Sequence, residues 1–415
     1  MAIDPVDSGS KRQADGFLES VVAHGYCLGC GICAGMHSSE KVAMRLSPTG
    51  YLRPAAQQAI TVGQIERIRH LCPGMNVEHE SDSGNHHAIW GPIKAVRTGH
   101  ATDDEIRRLG SSGGVLTALA LHLIESGEVD FVAQIAASQS APLVNEMQLS
   151  RSRADVLHAA GSRYSPTAPL ERFEELLATG ENFAFIAKPC DVSAVRRMAQ
   201  SDPRIGKQVR YLLSFMCAGI PSIHGTHEML EHLGVASAEL KEFRYRGNGW
   251  PGMAAATTHD GRVAEMDYHT SWGTILNRHL QFRCKICPDG SGEFADVVCA
   301  DAWYGKDGYP DFQEREGRSL VISRTQSGEV LISEAVNAGA IKTADLPVAE
   351  IAAMQPYQVN RKRMVLARTL GAWLRLGSAP RYRRLGLVRA SLGGNPITWL
   401  RECWGSFKRA KGESA

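Results

Sequence analysis

The chain has 415 residues, 43% of them hydrophobic, and a net charge of +2; it is too long for one small core and is expected to form two or three units. The first twenty residues lack the apolar centre of a signal peptide, and no apolar run approaches the ~18 residues that a membrane-spanning helix needs. A soluble, cytoplasmic protein is expected, in which ten cysteines serve metal binding or redox work rather than disulfides.

Residues 1–20 read as a flexible N-terminus, and a cysteine-rich segment follows over 21–90. In YCLGCGICAG, Cys27, Cys30 and Cys33 stand three residues apart; Cys72 comes later in HLCPG, trailed by proline. Such a run with a distant Cys-Pro is the ligand pattern of a ferredoxin-type [4Fe-4S] cluster. Gly29, Gly31 and Gly35 let the loop bend and bring amides near sulfur. A structural zinc site competes, but zinc sites usually pair two CxxC or CxxC/HxxxH elements, which this run fits less well. The gap from Cys33 to Cys72 is long for a ferredoxin, so the intervening residues must fold back.

Residues 91–355 read as the catalytic domain. In LGSSGGVLTALALHLIESGEVDFVAQIAA, the turn Ser111, Ser112, Gly113, Gly114 precedes an apolar helix ending near Gly127, and a strand follows. Such a turn at a helix start offers free amides and a positive dipole end to a phosphate, although a plain capped turn has the same appearance. It is neither a Walker loop nor GxGxxG. GSRYSP adds Arg163 and Tyr164 in a loop. Next, residues 182–187 read as a buried strand, a helix opens at Asp191, residues 209–216 read as a second strand, and another helix starts at Pro221. That alternation implies a parallel sheet. Cys190 and Cys217 then lie just past the carboxyl ends of two strands, where open α/β sheets gather ligands. Cys284 and Cys287 of CKIC could close a second four-thiol site; the alternative leaves Cys190 and Cys217 as core thiols. GKDGYPDFQEREGRS reads as a loop leaving the core.

Residues 356–415 read as a basic helical tail. From Arg361 onward thirteen Lys and Arg face only Glu402 and Glu413, a net of +11, which leaves −9 for the rest. Trp373, Trp399 and Trp404 punctuate it, with Tyr382 and Phe407. This composition suits an anionic membrane face or an acidic partner; no nucleic-acid motif accompanies it. The competing reading packs the tail on the chain's own acidic body.

RLGSSGGVLTALAL, GSRYSP, AKPCDVSAVRR, CAGIPS, FRYRGNGWPG and CKICPDGSGEFADVVCADAW occur in the order found in the coenzyme F-420 hydrogenase/dehydrogenase beta-subunit family, which the chain resembles from about Gly91 to Gly305. Members include deazaflavin-oxidising subunits and ferredoxin-dependent reductases of 7-hydroxymethyl chlorophyll and divinyl chlorophyllide. The resemblance implies a flavin at the Ser111–Gly114 turn, FAD in preference to FMN, with Arg163, Tyr164 and Lys188 beside it. It supports Cys190, Cys217, Cys284 and Cys287 as cluster ligands. Cys299 lies where relatives commonly carry glycine and is left out.

The expected fold is α/β with α+β elements: a mixed or parallel sheet core, an N-terminal ferredoxin-like iron-sulfur segment and a helical basic tail. The expected function is an oxidoreductase passing electrons from a one-electron donor such as ferredoxin through two [4Fe-4S] clusters to flavin and an organic substrate that the sequence does not name. His100, His224 and Tyr164 are candidate proton donors. Alternatives are a non-catalytic electron-transfer subunit of a larger complex, a deazaflavin oxidoreductase subunit, and a zinc-stabilised binding protein. A homo-oligomer, and a peripheral position at the inner membrane face through residues 361–415, are compatible with the same reading.

Overall fold

The structure, a computed structural model, describes residues 8–36, 41–81, 86–306 and 309–411. Its centre is an eight-stranded sheet. In chain order the strands are β1 (Ala95–Ala101), β2 (Phe131–Ala137), β3 (Asn145–Ser150), β4 (Phe183–Ile186), β5 (Val209–Phe215), β6 (Val297–Asp301), β7 (Ser319–Ser323) and β8 (Ile341–Asp345). In space they run β8-β1-β7-β6-β5-β4-β2-β3. The middle strands β6, β5, β4 and β2 pair in parallel, and antiparallel strands flank them on both sides. The expected mixed sheet is therefore present.

The apolar run of β4 is buried on both faces because parallel strands are covered on both sides. Phe131, Ala133, Phe183, Phe185 and Leu212 enter one core. The alternate residues Val132, Ala184, Ile186 and Leu213 enter the other. Helix α1 (Val115–Glu125) covers the second face, burying Val115, Leu119 and Leu123 at helical spacing. Helix α2 (Pro189–Met198) covers the first. It begins two residues before Asp191, with Pro189 in its first turn, where the missing N–H costs nothing. Helix α3 (Ile223–Leu233) starts at Ile223 rather than Pro221, because the Ser222 hydroxyl caps it by accepting the His224 N–H at 3.1 Å. With the three-stranded sheet of residues 240–266, α3 forms a smaller side core around Met229, Phe243 and Tyr245.

The N-terminal end is less independent than expected. Residues Ser8–Ala23 are helical where a flexible end was expected. The cysteine-rich segment consists of a one-turn helix Ile32–Gly35, a hairpin (Val42–Leu46 with Leu52–Ala56) and a helix Val62–Leu71 closed by a Thr61/Gln64 capping box. Its strand Asn76–Glu78 pairs in parallel with Arg381–Arg383 from the far end of the chain, and Cys30 and Ile32 join the central core.

The C-terminal region divides. Helix α4 (Pro356–Leu376) buries Val359, Arg361, Lys362, Met364 and Val365, so its first half is core. Helices α5 (Leu387–Leu392) and α6 (Pro396–Arg409) pack on it. The segment read as a loop leaving the core turns back instead: a bridge joins Arg315 to Trp250, and the Phe312 ring lies edge-on to Trp303 at 5.2 Å.

Candidate functional site

The eight expected thiols form two neighbourhoods. Cys27 and Cys30 lie on the turn before the Ile32–Gly35 helix, Cys33 inside it, and Cys72 caps the Val62–Leu71 helix. Gly31 is required there: its φ is +84° and a Cβ would lie 2.7 Å from the Glu171 amide. Burial pushes the Cys30 and Cys33 thiols far up, and neighbouring sulfurs push them further. Burial and then Cys27 raise Cys72 to about 11. Backbone amides point at these sulfurs: Ile32 at Cys30, Ala34 at Cys33, Gly74 and Met75 at Cys72, and Gly29 at Cys27 at 3.4 Å.

Cys190, in the first turn of α2, and Cys217, past the end of β5, meet Cys284, in the one-turn helix Phe282–Lys285, and Cys287 just after it. Burial raises Cys190 strongly and Cys217 to about 12, and members of this same set raise them further. Cys299 is pushed to about 12 by burial alone, with no thiol neighbour contributing, and stands outside both sets.

Two buried cations lie between the sets. Arg283 donates from Nε to the Gly74 carbonyl and from Nη2 to the Pro73 carbonyl, both at 2.8 Å, just after Cys72, and directly precedes Cys284. Its buried Nη1 makes no hydrogen bond among the described residues. Lys188 is ion-paired to Asp191 at 2.7 Å. Burial opposes its charge, but Asp191 and Cys190 outweigh burial and keep it protonated, and Cys30 of the first set adds to the effect. Buried thiols that repel one another, ringed by amides and cations, fit a group that takes them as thiolates and releases their protons. Among the described residues no three His, Cys, Asp or Glu side chains come close enough to share one metal ion.

A cavity of about 680 Å³ opens at the carboxyl ends of β4, β5 and β6, within the usual size range of cofactor sites. Ser111, Ser112, Gly114 and the first turn of α1 line one part. That turn has no side-chain cap, so its leading amides remain for a ligand. Gly113 does not line it: its amide donates to the Ser319 hydroxyl at 2.9 Å. Gly114 (φ +73°) is glycine because a Cβ would lie 2.7 Å from the Ile106 carbonyl, which is a packing reason and not a ligand reason. Ser162 donates to the Ser111 hydroxyl at 2.8 Å, tying the turn to the GSRYSP loop.

Arg163 lines the cavity, yet its guanidinium is committed to Asn145 Oδ1 (2.7 Å), the Phe243 carbonyl (3.0 Å) and the Pro142 carbonyl (2.7 Å). It pins the loop and is not a spare phosphate cation. Lys188 and Tyr164 also line the cavity. Of the three expected proton donors Tyr164 alone does so. His100 lies on β1 in a separate open cleft with Arg107, Tyr304 and Lys342, and the His224 ring faces the Pro48 carbonyl at 2.9 Å. Both are set aside.

Sequence reasoning missed the aromatic wall, formed by Tyr268, Trp272, Trp303 and Phe312 beside Tyr164. Beside it, also lining the cavity, Arg246 holds Asp301 with two hydrogen bonds (2.9 and 2.7 Å), Trp250 Nε1 donates to the same carboxylate at 2.7 Å, and Arg246 lies over Tyr268 and Trp303. These residues stand in the quoted FRYRGNGWPG and CADAW stretches, but nothing local announces their pairing. Burial, then Tyr164, pushes the Tyr268 hydroxyl well above its ordinary range despite Arg246. Tyr357, Gln358 and Asn360 of α4 close another side.

Family models described as coenzyme F420 hydrogenase/dehydrogenase, beta subunit N-term and C terminus, match residues 96–173 and 180–348. The chain is 24% identical to the coenzyme F420 hydrogenase subunit beta of Methanococcus voltae, over 68% of this chain and 98% of that protein. It is 27% identical to the subunit of the same name from Methanothermobacter thermautotrophicus, over 63% and 88%. It is 24% identical to the coenzyme F420-dependent sulfite reductase of Methanocaldococcus jannaschii, over 55% of this chain but 36% of that longer protein. In fold it is similar to a chain of the F420-reducing [NiFe] hydrogenase complex from Methanosarcina barkeri, with a TM-score of 0.54 at 21% identity, over 71% of this chain and 98% of that one.

Proposed function

The chain belongs to the coenzyme F420 hydrogenase/dehydrogenase beta-subunit family, and on that premise we propose that it is the electron-transfer subunit of a redox complex, linking two [4Fe-4S] clusters to a flavin in the 680 Å³ cavity. The observation that carries this reading is a shared wall: Cys217 belongs to the second thiol set and also lines the cavity. Lys188 and Asp191 extend the contact, since they line the cavity and act on both Cys190 and Cys30. The order of sites is then first thiol set, second thiol set, cavity.

Cys27, Cys30, Cys33 and Cys72 would hold one cluster, and Cys190, Cys217, Cys284 and Cys287 the other. The amides of Ser111, Ser112 and the first turn of α1 would receive flavin phosphates, FAD being preferred to FMN on the family resemblance. A bound flavin supplies interchange between one- and two-electron transfer. The chain's own residues set the conditions: Arg283 and Lys188 balance thiolate charge, the aromatic wall shields the cavity, and the Tyr268 hydroxyl, whose pKa burial raises, keeps its proton beside the cavity. Because the relatives include coenzyme F420 hydrogenase subunits and a coenzyme F420-dependent sulfite reductase, a deazaflavin of the coenzyme F420 type would be the two-electron partner, and ferredoxin or another subunit would serve the clusters.

The test is anaerobic. Purified protein should contain flavin and should oxidise reduced coenzyme F420 with a viologen as acceptor. Cys217→Ser should keep flavin and the first cluster yet lose viologen reduction. Viologen reduction that survives without the second cluster sinks the proposed order. Turnover of an organic substrate by the isolated chain with reduced ferredoxin would instead make it a self-sufficient reductase.

A further inference from the structure

We propose that helices α5 and α6 form a docking surface for an anionic lipid bilayer. This surface lies beyond residue 348, where the family models end. Helix α6 packs on α4 through one face: a Cβ at Gly371 would fall 2.1 Å from the Cys403 carbonyl, and Ser406 donates to the Arg368 carbonyl at 2.7 Å. The opposite stripe is apolar and uncovered. Ile397, Leu400 and Trp404 recur at i, i+3 and i+7 and are 77%, 65% and 57% exposed. Leu392, at the end of α5, is 82% exposed. Four large apolar side chains so exposed on adjoining helices mark an interaction site and not scattered surface residues.

Cations accompany the stripe. Arg401 and Lys408 follow Ile397 by four and eleven residues, on the same side of α6, and both are exposed. Lys408 sits over the Trp404 ring at 5.1 Å. Arg389 and Lys411 are also exposed. Glu402, the carboxylate of α6, is held by Arg368 at 2.8 Å and faced by Arg409 at 3.8 Å, so it does not oppose an anionic surface. Tryptophan and leucine backed by Lys and Arg on one helix is the composition of a helix lying in a membrane interface. An acidic protein would match the cations but not so many exposed aliphatic side chains, since non-obligate interfaces are hardly more apolar than ordinary surface. No helix among the described residues is long and apolar enough to cross a membrane, so the contact is peripheral.

The test is co-sedimentation of the full chain with vesicles of phosphatidylcholine alone and of phosphatidylcholine mixed equally with phosphatidylglycerol. Binding should favour the anionic vesicles and weaken with salt. L400S/W404S should partition at least tenfold less, a change of about 1.4 kcal/mol, at unchanged melting temperature. Arg401→Glu should lose the preference for anionic vesicles, which covers the case of a misfolded double variant. Three results overturn the proposal: no binding to anionic vesicles, a homodimer that L400S/W404S abolishes while vesicles are ignored, or an Arg401-dependent complex with ferredoxin in the absence of lipid binding.

Discussion

Lys362→Met tests the clamp between the C-terminal helix and the second thiol set. Lys362 and Glu293 form an ion pair, with side chains 4% and 1% exposed, and His79 meets the other carboxylate oxygen at 3.1 Å. Burial alone would raise the Glu293 carboxyl; Lys362 and His79 outweigh burial and hold it at about 2 instead of the ordinary 4.5. At about 1.36 kcal/mol per pH unit, that difference is worth about 3 kcal/mol, in line with the ~3–5 kcal/mol cost of removing one partner of a buried pair. The sign follows from the depressed value: the stability is fully present above 4.5 and is lost as pH falls towards 2. In Lys362→Met the buried carboxylate loses its ion-pair partner and keeps His79 and the more distant Arg324, so its pKa should rise. The deficit should then be about 3 kcal/mol at neutral pH and shrink as acid protonates the orphaned group. Guanidinium unfolding between neutral and mildly acidic pH measures this. K362M/E293Q should recover more than half of the loss, because glutamine needs no counter-charge. A deficit under about 1 kcal/mol, or one independent of pH, would refute the reasoning.

Iron and acid-labile sulfide should each approach about eight per chain after anaerobic purification, and Cys30→Ser should leave about four of each with the second set intact; four of each in the unaltered protein would remove one set. Ser111→Asp should lower flavin retention at least tenfold without changing the melting temperature, since its carboxylate would oppose a phosphate at the start of α1. Gly114→Ala, in contrast, should lower stability by more than the roughly 1–2 kcal/mol of a left-handed backbone, because its Cβ would also press on the Ile106 carbonyl, so calorimetry and flavin content together separate the two roles. Deleting residues 356–411 should give insoluble or cofactor-poor protein, judged by iron content and light scattering; a soluble, fully loaded truncate would show that α4 is dispensable.

The parts legible in the sequence were those with local signals. The strands β4 and β5 announced themselves as apolar runs bounded by helix signals, and the cysteines partitioned by spacing and by their place at strand ends. Burial was not local. Arg361 and Lys362 were counted as surface charge, yet Arg361 donates to the Cys217 carbonyl at 3.1 Å and Lys362 closes on Glu293. Arg246 and Asp301 stand 55 residues apart and meet across two sheets; neither position carries a pattern that could pair them. His100 and His224 were chosen for residue type alone, and type does not say which end of a strand or helix faces the cavity. The Ser111–Gly114 turn was read rightly as a helix start, but its glycines answer to Gly99 and Ile106 rather than to a phosphate.

The two chain ends support each other and, between them, the thiols. The first thiol set precedes residue 96 and α4 follows residue 348, so both lie outside the matched family models. Arg381–Arg383 pairs with Asn76–Glu78, four residues beyond Cys72. The Tyr26 hydroxyl, next to Cys27, donates to the Ser378 carbonyl at 2.7 Å, and the Tyr382 hydroxyl donates to the Ile286 carbonyl, between Cys284 and Cys287, at 2.8 Å. One C-terminal segment thus touches the loops of both sets, while Arg283 joins them from inside. A body that contacts the loops of both sets from behind also carries the exposed face of α5 and α6. Removing the whole region would therefore confuse loss of docking with loss of cofactors, whereas Leu400 and Trp404, whose side chains project away from α4, can be changed without touching the support.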